Sequence, residues 1–146
     1  MTANETQVLS QRIGDWMGEQ DKFAKSLGIK IDKVGPGYCR ASMCVREDMV
    51  NAVGITHGGA TFTLADLAFA VACNSHGRVA VALSATISFP AASKAGDNLV
   101  AEAREETCSN RTGFYRVEVK RDDGKLVGIF SGSVFRRDED ASKYIC

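Results

Sequence analysis

Between residues 50 and 93 the sequence contains one acidic side chain, Asp66, and one basic side chain, Arg78. Asp66 lies inside the run ATFTLADLAFAVAC, residues 60–73, which is apolar nearly all round and reads as a helix buried on most of its faces. At i, i+4, i+7 and i+11 spacing, one helical face carries Phe62, Asp66, Phe69 and Cys73. An ionised carboxylate among such neighbours costs several kcal/mol unless it is paired or hydrogen-bonded. Two readings follow. Asp66 is a structural acid satisfied by a backbone amide or by a partner subunit, or it is a general base or nucleophile whose pKa an apolar site raises. Upstream stand Asn51, His57, Gly58 and Gly59. Two glycines at a loop-to-helix junction let backbone N–H groups approach a ligand, and the positive end of a helix can hold developing negative charge. Each feature also has a plainer reading: the glycines mark a turn, His57 bonds a carbonyl at the helix entry, and Asn51 caps a turn. Amide donors followed two turns later by an apolar-embedded carboxylate suit the addition of water to a carbonyl.

The elements that must hold these groups follow from hydrophobic periodicity. Residues 7–25 carry Val8, Leu9, Ile13, Trp16 and Met17 at spacings of three and four, which predicts an amphipathic helix. Residues 29–34 and 38–46 alternate as strands around a Gly35-Pro36-Gly37 turn, with Cys39, Ala41, Met43 and Val45 on one side. After the buried helix, residues 79–89, 98–107, 112–120 and 125–136 read as four further strands. Leu99, Ala101 and Ala103, and then Tyr115, Val117 and Val119, form inward faces, and Asp123-Gly124 marks a hairpin. Residues 137–146 are polar enough to predict a frayed tail. Strands in runs around one long apolar helix indicate an α+β fold, an antiparallel sheet packed on that helix.

A chain of 146 residues is the size of one domain, here 1–146 as a whole, and it needs no disulfide or metal to fold. Eighteen basic residues balance eighteen acidic ones, which argues against nucleic-acid binding through bulk charge and leaves homo-oligomers easy to form. No apolar run is long enough for a membrane span, and residues 1–10 lack the pattern of a secretory leader, so a cytoplasmic protein with no membrane partner is expected. The five cysteines, Cys39, Cys44, Cys73, Cys108 and Cys146, include no CxxC pair and read as free thiols in a reducing compartment. Neither His57 nor His76 has zinc-finger spacing with them, so no metal site is expected.

The residues Asn51-Ala52-Val53-Gly54, His57-Gly58-Gly59 and Leu64-Ala65-Asp66 resemble the hotdog-fold acyl-CoA thioesterases. Ala65 to Ala70, running into Ala72-Cys73-Asn74-Ser75, is most similar to the phenylacetate-degradation (PaaI) branch, near the 4-hydroxybenzoyl-CoA thioesterases. The likeness spans roughly residues 27–136. It implies a long helix wrapped by a curved antiparallel sheet, and dimers of dimers with active sites at the dimer interface. It also implies an acyl-CoA substrate, most plausibly aryl-acyl, and no cofactor. By position, Asp66 would activate water or attack the thioester, the Gly58 amide would polarise its carbonyl, Asn51 would help place that carbonyl, and His57 would sit beside it. Ser84 matches a position that orients the nucleophilic water. Gly59, Phe62 and Phe69 fall on the implied substrate side. The family's arginine and proline-glycine after the central strand are replaced here by Phe89-Pro90-Ala91-Ala92-Ser93-Lys94, so Lys94 and the turn residue Arg111 become the candidates for the CoA phosphates. Two other functions fit the same fold: a hydratase or dehydratase working through His57 and Asp66, and a non-catalytic acyl-CoA binder.

Overall fold

The computed structural model describes residues 1–145, so Cys146 lies outside the described residues. The elements run α1 (Ala3–Gln20), α2 (Lys22–Ser26), β1 (Lys30–Gly35), β2 (Tyr38–Cys44), α3 (Gly58–Asn74), β3 (Arg78–Ser88), β4 (Asn98–Cys108), β5 (Thr112–Arg121) and β6 (Leu126–Asp140), with short 3-10 turns at Glu47–Met49 and Ala141–Tyr144. The six strands form one antiparallel sheet in the order β1-β2-β4-β5-β6-β3. The sheet wraps α3, which packs against every strand. Leu64, Ala65, Ala68, Val71 and Ala72 of α3 are fully enclosed with the inward row Cys39, Ala41, Leu99, Ala101, Ala103, Val117, Val119 and Phe130. This is the α+β arrangement that the alternation and the apolar helix predict, and the long helix wrapped by an antiparallel sheet that the hotdog resemblance implies. No helix among the described residues is long and apolar enough to cross a membrane.

Three local expectations change. The amphipathic segment 7–25 is two helices, because Asp21 ends α1 in an extended conformation and caps α2 by accepting from the Ala24 N–H at 3.0 Å. Its buried face is Ser10, Ile13 and Gly14, while Val8 is 50% exposed. The polar end is not frayed through its length: β6 continues to Asp140, paired with Arg78 of β3. Beyond it, Tyr144 stacks on Trp16 at 5.3 Å and the Ile145 carbonyl accepts from Arg12 at 3.0 Å. The hairpin over Arg121-Asp122-Asp123-Gly124 forms as predicted, with Gly124 at φ 83° and its N–H on the Arg121 carbonyl at 2.9 Å.

Candidate active site

The start of α3 is held by a tied loop. Val50 and Thr56 form an isolated bridge, and the Thr56 N–H donates to the Ser93 carbonyl at 2.8 Å. The Ser93 hydroxyl donates to the Thr56 hydroxyl at 2.6 Å, and the His57 N–H reaches the Met49 carbonyl at 2.7 Å. Within this loop the Asn51 carboxamide oxygen accepts from the Val53 and Ile55 N–H groups at 3.1 and 3.3 Å. Asn51 therefore shapes the turn, and only its Nδ2 hydrogens remain for a ligand.

His57 is the helix cap. Its Nδ1 accepts from the Gly59 N–H at 2.8 Å, which requires the neutral tautomer with hydrogen on Nε2. The ring is exposed and presents an Nε2–H donor rather than a basic nitrogen. The same bond removes Gly59 as an amide donor. The Gly58 N–H, one position earlier, has no acceptor among the described residues. That is the orphan donor that a helix N-terminus offers to an anion. The Phe89 ring lies so close to Gly58 that a Cβ there would stand 3.0 Å from its Cζ. Gly58 and Asn51 line a shared pocket of about 290 Å³ with Ile55, Thr56, Phe89 and Ser93.

Asp66 lies two turns along α3, half-buried, and its carboxylate makes no hydrogen bond or ion pair among the described residues. Burial pushes its pKa upward, and the charge of Asp21 adds to the shift. Arg78, the one basic side chain between residues 50 and 93 apart from the histidines, is engaged elsewhere: it donates to the Arg136 and Arg137 carbonyls and to Asn110, and lies 3.7 Å from Asp138. Phe62 also stays half-buried, touching Phe130 edge-on at 5.4 Å and lining an apolar groove of about 480 Å³ with Phe23, Leu27, Met49, His57 and Gly59.

Phe69 is a correction. It is 2% exposed, locked between Tyr115 at 5.8 Å and Phe130 at 5.3 Å, so it belongs to the core and not to a substrate surface. The least buried stripe of α3 is instead Gly59, Phe62, Thr63, Asp66 and Ala70.

Ser84 sits on the outward face of β3, hydroxyl to hydroxyl with Ser133 at 2.7 Å, while Ala85 and Ile87 pack on the core. Within one chain its hydroxyl is bonded to Ser133, not to Asp66. Lys94 is exposed, without an ion pair among the described residues, in a pocket of about 470 Å³ that adjoins the Gly58 pocket through Ile55, Ala92 and Ser93. Arg111 is bound to Asp138 at 2.8 Å at the far end of β5, about 30 Å from Lys94's pocket by strand length. One chain therefore does not bring Arg111 and Lys94 together. The cation beside Lys94 is Arg121, which donates to the Ala92 carbonyl at 2.9 Å and pairs with Asp123. In the sequence it reads only as the start of a hairpin turn.

Residues 53–128, just over half the chain, match the thioesterase superfamily family model. An acyl-coenzyme A thioesterase PaaI of Escherichia coli K12 is 42% identical over 82% of this chain and 86% of its own length. Human acyl-coenzyme A thioesterase 13 is 30% identical over 76% of this chain and 82% of its own. The solved structure of the E. coli PaaI protein from the phenylacetic acid degradation operon superposes with a TM-score of 0.89 at 37% identity, covering 92% of this chain and 97% of that one. With an orphan amide at a helix start and an unpartnered carboxylate on the same helix, the chain belongs to the thioesterase superfamily and is a hotdog-fold thioester hydrolase.

Proposed function

We propose that the enzyme hydrolyses an aryl-acyl-CoA, such as phenylacetyl-CoA or a hydroxyphenylacetyl-CoA, to the free acid and CoA. The observation that carries this reading is the pairing of a free Gly58 N–H with an Asp66 carboxylate that has no partner. The thioester oxygen accepts from Gly58 and feels the positive end of α3, which favours the negative charge of the tetrahedral intermediate. Asp66 removes a proton from water as it adds to the carbonyl carbon, and collapse expels the CoA thiolate, which takes up that proton; where Asp66 attacks the carbon itself, collapse expels the thiolate and leaves an acyl-aspartyl anhydride, which water hydrolyses to the free acid, its proton passing to the thiolate. His57 donates from Nε2 beside the carbonyl, and Asn51 holds the loop with Nδ2 to spare. That geometry weighs against a hydratase, which needs a basic histidine nitrogen.

Eight residues of helix separate Gly58 from Asp66, about 12 Å along the axis. A carbonyl held at one point is poorly placed for water held at the other, so the site is completed by a second copy, one chain offering Gly58 and the other Asp66. Two features support assembly. Among the described residues β3 is an edge strand paired with β6 alone, and it exposes Val81 and Leu83, the latter at 62%. Ser84 lies on the same strand and joins the chemistry only through a partner copy. The groove under Phe62, Phe23 and Met49 suits an aromatic acyl group, and Lys94 with Arg121 suits the CoA phosphates at the adjoining mouth. Arg111 reaches a phosphate only from another chain.

The test is a panel of acyl-CoAs scored by kcat/KM with free CoA measured against thioester loss. Equal release of CoA with a preference for aryl-acyl groups supports the reading. Substrate depletion without CoA release points to hydration, and binding without either change points to a sensor. Sedimentation showing an active monomer at 15.7 kDa would remove the shared site.

A further inference from the structure

At the opposite end of α3 from Gly58, about 25 Å away by helix length, His76, Glu105 and Cys108 converge. Their donor atoms lie within 4.8 Å of one another, all half-buried. The His76 Nε2 stands 2.7 Å from a Glu105 carboxylate oxygen, and the Tyr115 hydroxyl donates to that same oxygen at 2.7 Å. Glu105 and Cys108 are three residues apart on β4 and would face opposite sides of a regular strand. A β-bulge between Glu105 and Thr107 inserts one extra residue, so Glu105 pairs with Tyr115 and Cys108 with Gly113, two positions on the same inner face of β5. The bulge is what turns the thiol toward the carboxylate.

The frame around the three groups is built. Ser75, fully buried beside His76, donates to the Ala72 carbonyl at 2.6 Å, and its hydroxyl accepts from the Gly37 N–H at 2.8 Å. The Gly37 carbonyl in turn accepts from the Glu105 N–H at 2.9 Å, so one residue ties the backbone next to His76 to that of Glu105. A Cβ on Gly113, the β5 residue paired with Cys108, would stand 3.0 Å from the Tyr115 ring, so this position admits only glycine without a shift of that ring.

We infer that His76, Glu105 and Cys108 form a binding site for a thiophilic divalent cation of the Zn²⁺ class, separate from the hydrolytic site. The donor set is one imidazole, one carboxylate and one thiolate, which together neutralise the ion and select Zn²⁺, Co²⁺ or Cd²⁺ over Mg²⁺ or Ca²⁺. Tetrahedral bond lengths place such donors about 3.3 to 3.6 Å apart, between the 2.7 Å of the His76–Glu105 contact and the 4.8 Å within which all three now lie. The His76–Glu105 hydrogen bond opens and the ring hydrogen moves from Nε2 to Nδ1 by exchange with solvent, which frees Nε2 for the ion. Ligation by Cys108 displaces its thiol proton. Burial holds Cys108 toward the thiol form and Glu105 adds to that, while Arg136 favours the thiolate that the ion would bind. A water fills the fourth position. The sequence spacing argues against such a site because the histidine and the other two donors are 29 and more residues apart and meet only across the sheet.

The experiment titrates the chelator-treated, full-length protein with Co²⁺. The expected result is one tight equivalent per chain, with a near-ultraviolet thiolate-to-cobalt band and strong visible bands of tetrahedral cobalt, displaced by Zn²⁺ and untouched by Mg²⁺. Cys108→Ser should remove the thiolate band, His76→Ala should weaken binding at least tenfold, and Cys44→Ser should change neither. Absence of the band in the wild-type protein overturns the inference, as does a band that survives Cys108→Ser. Should Cys108→Ser fail to fold by circular dichroism, His76→Ala decides alone, and an unchanged cobalt affinity overturns the site.

Discussion

Replacing Asp66 by Asn keeps the side-chain volume and removes the charge and basicity, so it separates chemistry from packing. The surroundings make the substitution mild. Asp66 has no hydrogen-bond or ion-pair partner among the described residues to lose, and it shares the least buried stripe of α3. If the carboxylate is base or nucleophile, kcat falls by roughly 10²- to 10⁴-fold, about 3 to 5 kcal/mol of barrier. Stability moves the other way. The unfolded chain ionises Asp66 near 3.8, whereas burial raises the value in the fold. Between 3.8 and that raised value the unfolded state binds fewer protons, so stability drops as pH rises through the window and the loss is complete above it. Asp66→Asn therefore melts above the wild-type protein at pH 7 and level with it near pH 3. The assay should follow thioester absorbance, because exposed Cys44 reacts with thiol reagents. A folded, oligomeric Asp66→Asn enzyme with nearly wild-type kcat refutes the reasoning. A variant that fails to fold or assemble while keeping turnover per folded site shows a structural acid.

Other substitutions probe the remaining parts. In wild type, kcat/KM should fall with decreasing pH along a limb centred above 3.8, and residual activity of Asp66→Asn should lack that limb. Lys94→Ala should raise KM far more than it lowers kcat, because phosphates far from the reacting carbon bind ground and transition states alike; a loss confined to kcat contradicts the assignment. Arg111→Ala, which breaks an exposed pair with Asp138, should leave the urea midpoint essentially unchanged, and a rise in its KM would show that Arg111 reaches CoA in a neighbouring chain. Gly132→Ala places a Cβ 2.6 Å from the Phe69 ring and should destabilise by about 1 to 3 kcal/mol, read as a lower urea midpoint.

The strands, the buried helix and the isolated acid were legible in the sequence because each depends on local periodicity. Alternation at Leu99, Ala101 and Ala103 and at Tyr115, Val117 and Val119 is set by the strand repeat, and all six are buried. The position of Gly58 at a helix start and of Asp66 two turns later follows from the helix repeat alone. Helical spacing did not distinguish Phe62 from Phe69, because which of two phenylalanines faces the groove depends on where Tyr115 and Phe130 arrive from β5 and β6. The order at the polar end rests on Trp16 meeting Tyr144, 128 residues away in the chain, a contact no local pattern encodes. Arg111 and Lys94 read alike as candidates for the CoA phosphates, and only strand length separates them. His76, Glu105 and Cys108 converge through one bulge in β4 and the pairing of β4 with β5, so strand register, not sequence spacing, decides which side chains share a site.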